Sequence, residues 1–141
     1  MGNAISGRCL CGAVQVRLER FNGQIDACHC GMCRRWSGGP AFAIAAGDDV
    51  LITGESHIRS YRSSDWAERA FCAECGTNLY YRLMESGACY LWAGLFDDLP
   101  GAILTHEIYI DHKPAWYALA NETETLTEAE ALERFHQSAS T

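Results

Sequence analysis

Eight cysteines constrain this 141-residue chain more than any other feature, because most of them fall into three tight clusters. These are Cys9-Leu10-Cys11, Cys28-His29-Cys30-Gly31-Met32-Cys33 and Cys72-Ala73-Glu74-Cys75. In a secreted chain such a count would suggest disulfides. The N-terminus, however, has no charged segment followed by the apolar run of a signal peptide. Short CxC and CxxC spacings are what metal chelation needs, and zinc is the expected metal.

The outer clusters complement one another. Side chains alternate along a strand, so a CxC pair read as strand places both sulfurs on one face. The Cys72–Cys75 pair is followed by Gly76 and reads as a knuckle turn that aims two thiolates at one point. Two such pairs make a tetrahedral site with Zn–S bonds of ~2.3 Å. Cys9, Cys11, Cys72 and Cys75 are therefore the expected ligands of a structural zinc.

The middle cluster offers only three thiols. Cys28 and Cys30 can share a face, and Cys33 can return to the same point after a turn at Gly31. Three thiolates leave zinc one vacant position, the layout of catalytic zinc, so Cys28, Cys30 and Cys33 are expected to form the catalytic set. A thiol entering that position would lose its proton near neutral pH beside an electrophile. Two other readings compete. His29 could be the fourth ligand, although in an extended segment it should point away from both neighbours. A supporting or proton-handling role, or a plain surface position, is the alternative for it. Cys89 could also close the set with a fourth sulfur, or simply pack as a small hydrophobe.

The rest of the chain bounds the partners. Its length suits a single zinc-binding domain over 1–141, with a core at about 7–119 and a helical tail at about 127–137. A formal charge of −7 argues against broad nucleic-acid binding, which needs basic surface. No apolar run approaches the ~20 residues that span a bilayer. A soluble cytoplasmic protein, with neither nucleic acid nor membrane as partner, is the expectation; oligomeric state is left open.

Hydrophobic patterning predicts a mainly β fold. Val14, Val16 and Leu18 alternate with Gln15, Arg17 and Glu19. "AFAIAA", "VLITG", "TNLYYRL", "CYLWAGLF" and "HEIYI" read as further strands. The one expected helix is C-terminal, with a Thr127/Glu130 capping box and Ala131, Leu132 and Phe135 as its apolar stripe. Fraying is expected at 2–6 and 138–141.

At these residues the chain resembles the glutathione-dependent formaldehyde-activating enzymes, whose domain is shared with a centromere protein. "GRCLCGAVQ" resembles that family's opening CxCG strand, and "CHCGMCRRWSGGPAF" its CHCxxCRR segment. "YRSSDWAERAFCAECGTNLYYR", "GLFDDLPG" and "HEIYIDHKPAWY" resemble its later motifs, so the likeness runs from about Gly7 to about Leu119. The resemblance implies coiled antiparallel sheets of the β-tent type organised around the structural zinc. It also implies two zincs, divided between the clusters as above. The implied activity is that of a carbon–sulfur lyase, an S-(hydroxymethyl)glutathione synthase that condenses glutathione with formaldehyde. Its implied partners are a small thiol such as glutathione and a small carbonyl. Arg34 and Arg35 would offset the site's charge or grip a glutathione carboxylate, or remain solvated. The family tail usually reads Lys-Ala-Pro-Trp where this chain has Lys113-Pro114-Ala115-Trp116, a departure that bears on glutathione recognition. The rival expectation is a non-catalytic, zinc-stabilised β module for protein binding. Hydrolysis by zinc-bound water is disfavoured, since three thiolates make the metal a poor Lewis acid.

Overall fold

The computed structural model describes residues 3–140, with side chains through Arg134. In chain order the elements begin β1 (Asn3–Arg8), β2 (Gln15–Phe21), β3 (Gln24–Cys28), α1 (Gly31–Ser37), β4 (Ala41–Gly47) and β5 (Val50–Thr53). They continue β6 (Ile58–Arg62), β7 (Ala67–Cys72), β8 (Asn78–Leu83), β9 (Cys89–Trp92), β10 (Ile103–Ile108), β11 (Glu124–Leu126) and α2 (Glu128–Ser140). The fold is mainly β, as expected, and among the described residues no sheet closes into a barrel. No helix among the described residues is long and apolar enough to cross a membrane.

The chain forms two compact units. One combines residues up to Gln24 with Ala43–Ala102; the other combines Ile25–Phe42 with residues from Ile103 onward. In the first, β2 lies between β1 and β5, and both pairings are antiparallel. The alternation read here is real: Val14 just ahead of β2 and Val16 and Leu18 within it are buried, while Gln15, Arg17 and Glu19 face solvent. β1 corrects the fraying expected at 2–6. From Asn3 onward the backbone is laddered to β2, and Ile5 is buried opposite Leu18. Residues 2 and 141 lie outside the described residues. A second antiparallel array in this unit runs β4-β9-β8-β7-β6. Its core is Ile44, Ala70, Leu79 and Leu91, all fully buried.

The other unit holds the strand order β11-β10-β3. Here the expectation of purely antiparallel sheets needs correction, because β10 and β11 pair in parallel. A second correction is α1, a seven-residue helix where only a turn at Gly31 was expected. Its one buried residue is Cys33, so it carries no apolar stripe for a periodicity argument to find. The C-terminal helix forms with the capping box predicted for it. The Glu130 carboxylate accepts from the Thr127 amide at 2.8 Å, and the Thr127 hydroxyl accepts from the Glu130 amide at 3.2 Å. Ala131 is buried but Leu132 is exposed, so the expected stripe is narrower than read. The side chain of Phe135, also expected there, lies outside the described residues.

Candidate metal centres

The first cluster is built from two turns rather than from a strand. Cys9 and Cys11 follow β1 in a tight turn closed by Gly12 N–H to Cys9 O at 3.1 Å. The alternation argument for this pair therefore does not apply; the turn converges the sulfurs instead. Cys72 ends β7, and the knuckle after it closes through Gly76 N–H to Cys72 O at 2.8 Å. Gly76 has φ +80°, which favours glycine, as the CxxC-Gly reading requires. Thr77 joins the two turns: its hydroxyl accepts from the Leu10 amide at 3.1 Å and lies 3.1 Å from Cys75 Sγ. Gly54 supports the first turn from behind, with φ +84°, and a Cβ there would sit 2.0 Å from the Ala13 carbonyl oxygen.

Sulfur positions test whether this cluster fits zinc. Bonds of ~2.3 Å at tetrahedral angles put sulfurs ~3.8 Å apart. Cys9 Sγ to Cys11 Sγ is 3.6 Å, Cys11 Sγ to Cys72 Sγ is 3.8 Å, and all four ligand atoms lie within 4.8 Å of one another. Backbone amides also donate to sulfur, Val14 to Cys9 at 3.3 Å and Ala13 to Cys11 at 3.5 Å. Proton affinities point the same way. Hydrogen bonds from the Thr77 hydroxyl and backbone hold Cys75 down at about 5. Cys11 receives the Ala13 amide, yet partial desolvation and hydrogen bonds with Cys9, Cys75 and Cys72 push it up to about 12. Four crowded thiols cannot all ionise without a cation among them. The donor set fits zinc.

The second cluster sits where β3 hands over to α1. Cys28 is the last residue of β3, Cys30 is the N-cap of α1, and Cys33 lies in the helix. The Cys33 amide donates to Cys30 Sγ at 3.3 Å, so one candidate ligand caps the helix that carries another. The three ligand atoms lie within 4.8 Å of one another. Hydrogen bonding with Cys30 and Cys33, followed by burial, pushes the Cys28 thiol up. Among the described residues these two clusters are the groups of three or more potential ligands that converge in this way. The three-thiol set also fits a soft divalent metal.

His29 is not where a surface histidine would be. It is 0% exposed, and its ring nitrogens are paired with residues other than the flanking cysteines. Nε2 is 2.8 Å from Glu107 Oε1, and Nδ1 is 2.7 Å from the Tyr117 hydroxyl. Both ring nitrogens are thus taken, which removes it as the fourth ligand. Thr123 donates to the other Glu107 oxygen at 2.6 Å. Arg34 Nε donates to the His29 carbonyl at 3.1 Å, while Arg35 is exposed. Cys89 belongs to neither cluster; it is buried in β9, and burial pushes its thiol up to about 12. Sequence reasoning missed Glu107, Tyr117 and Thr123. Glu107 and Tyr117 do fall inside the quoted "HEIYIDHKPAWY", beside the His, Lys and Trp of the motif.

Comparison with known proteins adds a family. A profile described as glutathione-dependent formaldehyde-activating enzyme matches residues 4–112. An uncharacterised lyase of Schizosaccharomyces pombe is 32% identical over 127 residues, covering 89% of this chain and 93% of its own length. A Halomonas elongata protein, named as a candidate glutathione-dependent formaldehyde-activating enzyme, is 27% identical over 123 residues. That match covers 79% of this chain and 78% of the relative. The crystal structure of a Rhodobacter sphaeroides protein aligns with a TM-score of 0.56 at 26% identity, over 66% of this chain and 88% of that one.

Proposed function

This chain belongs to the glutathione-dependent formaldehyde-activating enzyme family, and from that premise we propose that it is a zinc-dependent carbon–sulfur lyase. The proposed reaction joins glutathione or a related thiol to formaldehyde or another small carbonyl, in the manner of an S-(hydroxymethyl)glutathione synthase. Cys28, Cys30 and Cys33 would hold the catalytic zinc, and Cys9, Cys11, Cys72 and Cys75 a structural one. The observation that carries this reading is the inequality of the clusters: four sulfurs converge in one and three in the other.

Zinc bound by three thiolates supplies a position at which a thiol loses its proton near neutral pH. Balance of the reaction is simple. A carbon–sulfur bond forms between thiol and carbonyl carbon, the carbonyl π bond breaks, and the thiol proton ends on the new hydroxyl. No redox partner is required. Holding the two reactants together is then the main contribution, since a bimolecular addition becomes effectively unimolecular. The chain's own residues fix the geometry. Cys30 caps α1, Cys33 rides on it, and Arg34 is tied to the His29 carbonyl between them.

The test is an exchange measurement by NMR with zinc-loaded protein, glutathione and formaldehyde. Formation of S-(hydroxymethyl)glutathione faster than the uncatalysed addition is expected, and it should disappear in Cys30→Ser. No acceleration, for glutathione or any small thiol, with two zincs bound would sink the lyase reading and favour the zinc-stabilised binding module.

A further inference from the structure

Every polar atom of His29 is engaged, at a residue sandwiched between two cysteines of the three-thiol set. Its amide donates to Ile108 O at 3.1 Å, and its carbonyl accepts from Arg34 Nε at 3.1 Å. Nε2 meets Glu107 at 2.8 Å and Nδ1 meets the Tyr117 hydroxyl at 2.7 Å. A carboxylate can only accept, so Nε2 carries a hydrogen toward Glu107, while Nδ1 is paired with the Tyr117 hydroxyl. Glu107 is itself fixed through Thr123 at 2.6 Å and is only 6% exposed. At the far end the Tyr117 loop is closed by Lys113. The Lys113 ammonium donates to the Pro114 carbonyl at 3.0 Å and to the Tyr117 carbonyl, and it lies 5.1 Å from the Tyr117 ring centroid.

Stability alone does not call for such a chain. A buried imidazole and carboxylate cost desolvation that a well-packed apolar pair would avoid. What the chain does secure is one peptide. The backbone of His29 links Cys28 to Cys30, so any rotation of that peptide moves two sulfurs at once.

We infer that Thr123, Glu107, His29 and Tyr117 form a positioning chain for the three-thiol metal centre. Glu107 sets the imidazole's orientation. The imidazole in turn pins the Cys28–Cys30 peptide and anchors the Tyr117 loop beside it. This rests on the reading of Cys28, Cys30 and Cys33 as a metal set. None of the four chain residues is a ligand. They act through the cysteines, as partners behind a metal's ligands do elsewhere, where their loss typically costs about 10–100-fold in affinity.

Cobalt titration of the full-length protein tests it, with thiolate-to-cobalt charge-transfer absorption followed against a competing chelator. Cys30→Ser assigns the bands of the two sets. Glu107→Gln keeps the side chain's shape and removes its charge, and Tyr117→Phe removes one hydroxyl from a half-buried ring. Both are expected to weaken cobalt at the three-thiol set, Glu107→Gln by about 10-fold or more, and to shift its spectrum. Affinity at the four-thiol set should stay at the wild-type value and serves as the folding control. Unchanged affinities at both sets in folded Glu107→Gln and Tyr117→Phe proteins overturn the inference. An equal fall at both sets also overturns it, because the residues would then support the fold at large. If Glu107→Gln fails to fold, Tyr117→Phe decides the matter alone. A wild-type protein that binds one cobalt per chain sinks the three-thiol reading itself, and the positioning chain with it.

Discussion

The two cysteine clusters hold similar sulfurs in opposite ways. In the four-thiol set the sulfurs come from two turns, are steadied by backbone amides and Thr77, and include an exposed Cys11. Local hydrogen bonds suffice there because a complete tetrahedron, once filled, defines its own geometry. A set of three has one direction undetermined by sulfur. Behind it the protein places a helix cap and a buried chain from Thr123 to Tyr117. If both sets hold zinc as proposed, the contrast is that the four-thiol set is steadied by short local hydrogen bonds and the three-thiol set by partners far along the chain.

The largest expected effect is on the complete set. Structural zinc contributes about 10–16 kcal/mol in zinc-finger peptides, against about 5–15 kcal/mol for the net stability of a domain. Cys72→Ser, at a fully buried candidate ligand that also ends β7, should abolish cooperative unfolding in thermal melts followed by circular dichroism. A melt like wild type would erase the difference in role between the clusters. Next comes Cys30→Ser. Serine is a good N-cap, so the hydroxyl can still accept from the Cys33 amide while the thiolate is gone. One of two zincs and essentially all thiol-dependent turnover should be lost, with the melting temperature lowered by only a few degrees. Metal analysis that still found two zincs, or turnover at the wild-type rate, would place the reactive centre elsewhere.

Much of this contrast was legible in the chain, but unevenly. CxC and CxxC spacings are local, so the pairing of sulfurs could be read even though the Cys9–Cys11 segment proved to be a turn. β2 was legible because Val16 and Leu18 alternate with charged neighbours and truly face a core. By contrast β6 and β7 carry arginines and glutamate in their short runs, and their pairing comes from neighbours far along the chain. α1 was hidden because a single buried residue sets no period. Hardest to see was the chain behind the three thiols. His29 meets partners 78 and 88 residues away, and neither spacing nor composition marks them. A histidine between two clustered cysteines signals only that its side chain must go somewhere else; the fold decides where.

The smallest expected effect is the one on which the comparison depends most. Cys89 offers the only remaining sulfur among the eight cysteines, and a closed four-thiol set would need it. Instead it is 5% exposed in β9, with its thiol pushed up to about 12 by burial, the behaviour of a small apolar side chain. Cys89→Ala should therefore cost roughly 1 kcal/mol, the loss of one buried atom and a small cavity. Two zincs per chain and full turnover should remain. Were one zinc to leave with Cys89, the second set would be complete after all, and its buried histidine chain would be holding a finished tetrahedron. Retention of both metals instead leaves the second set with three sulfurs, the arrangement that the proposed reaction requires, with the His29 imidazole and the Glu107 carboxylate buried beside it.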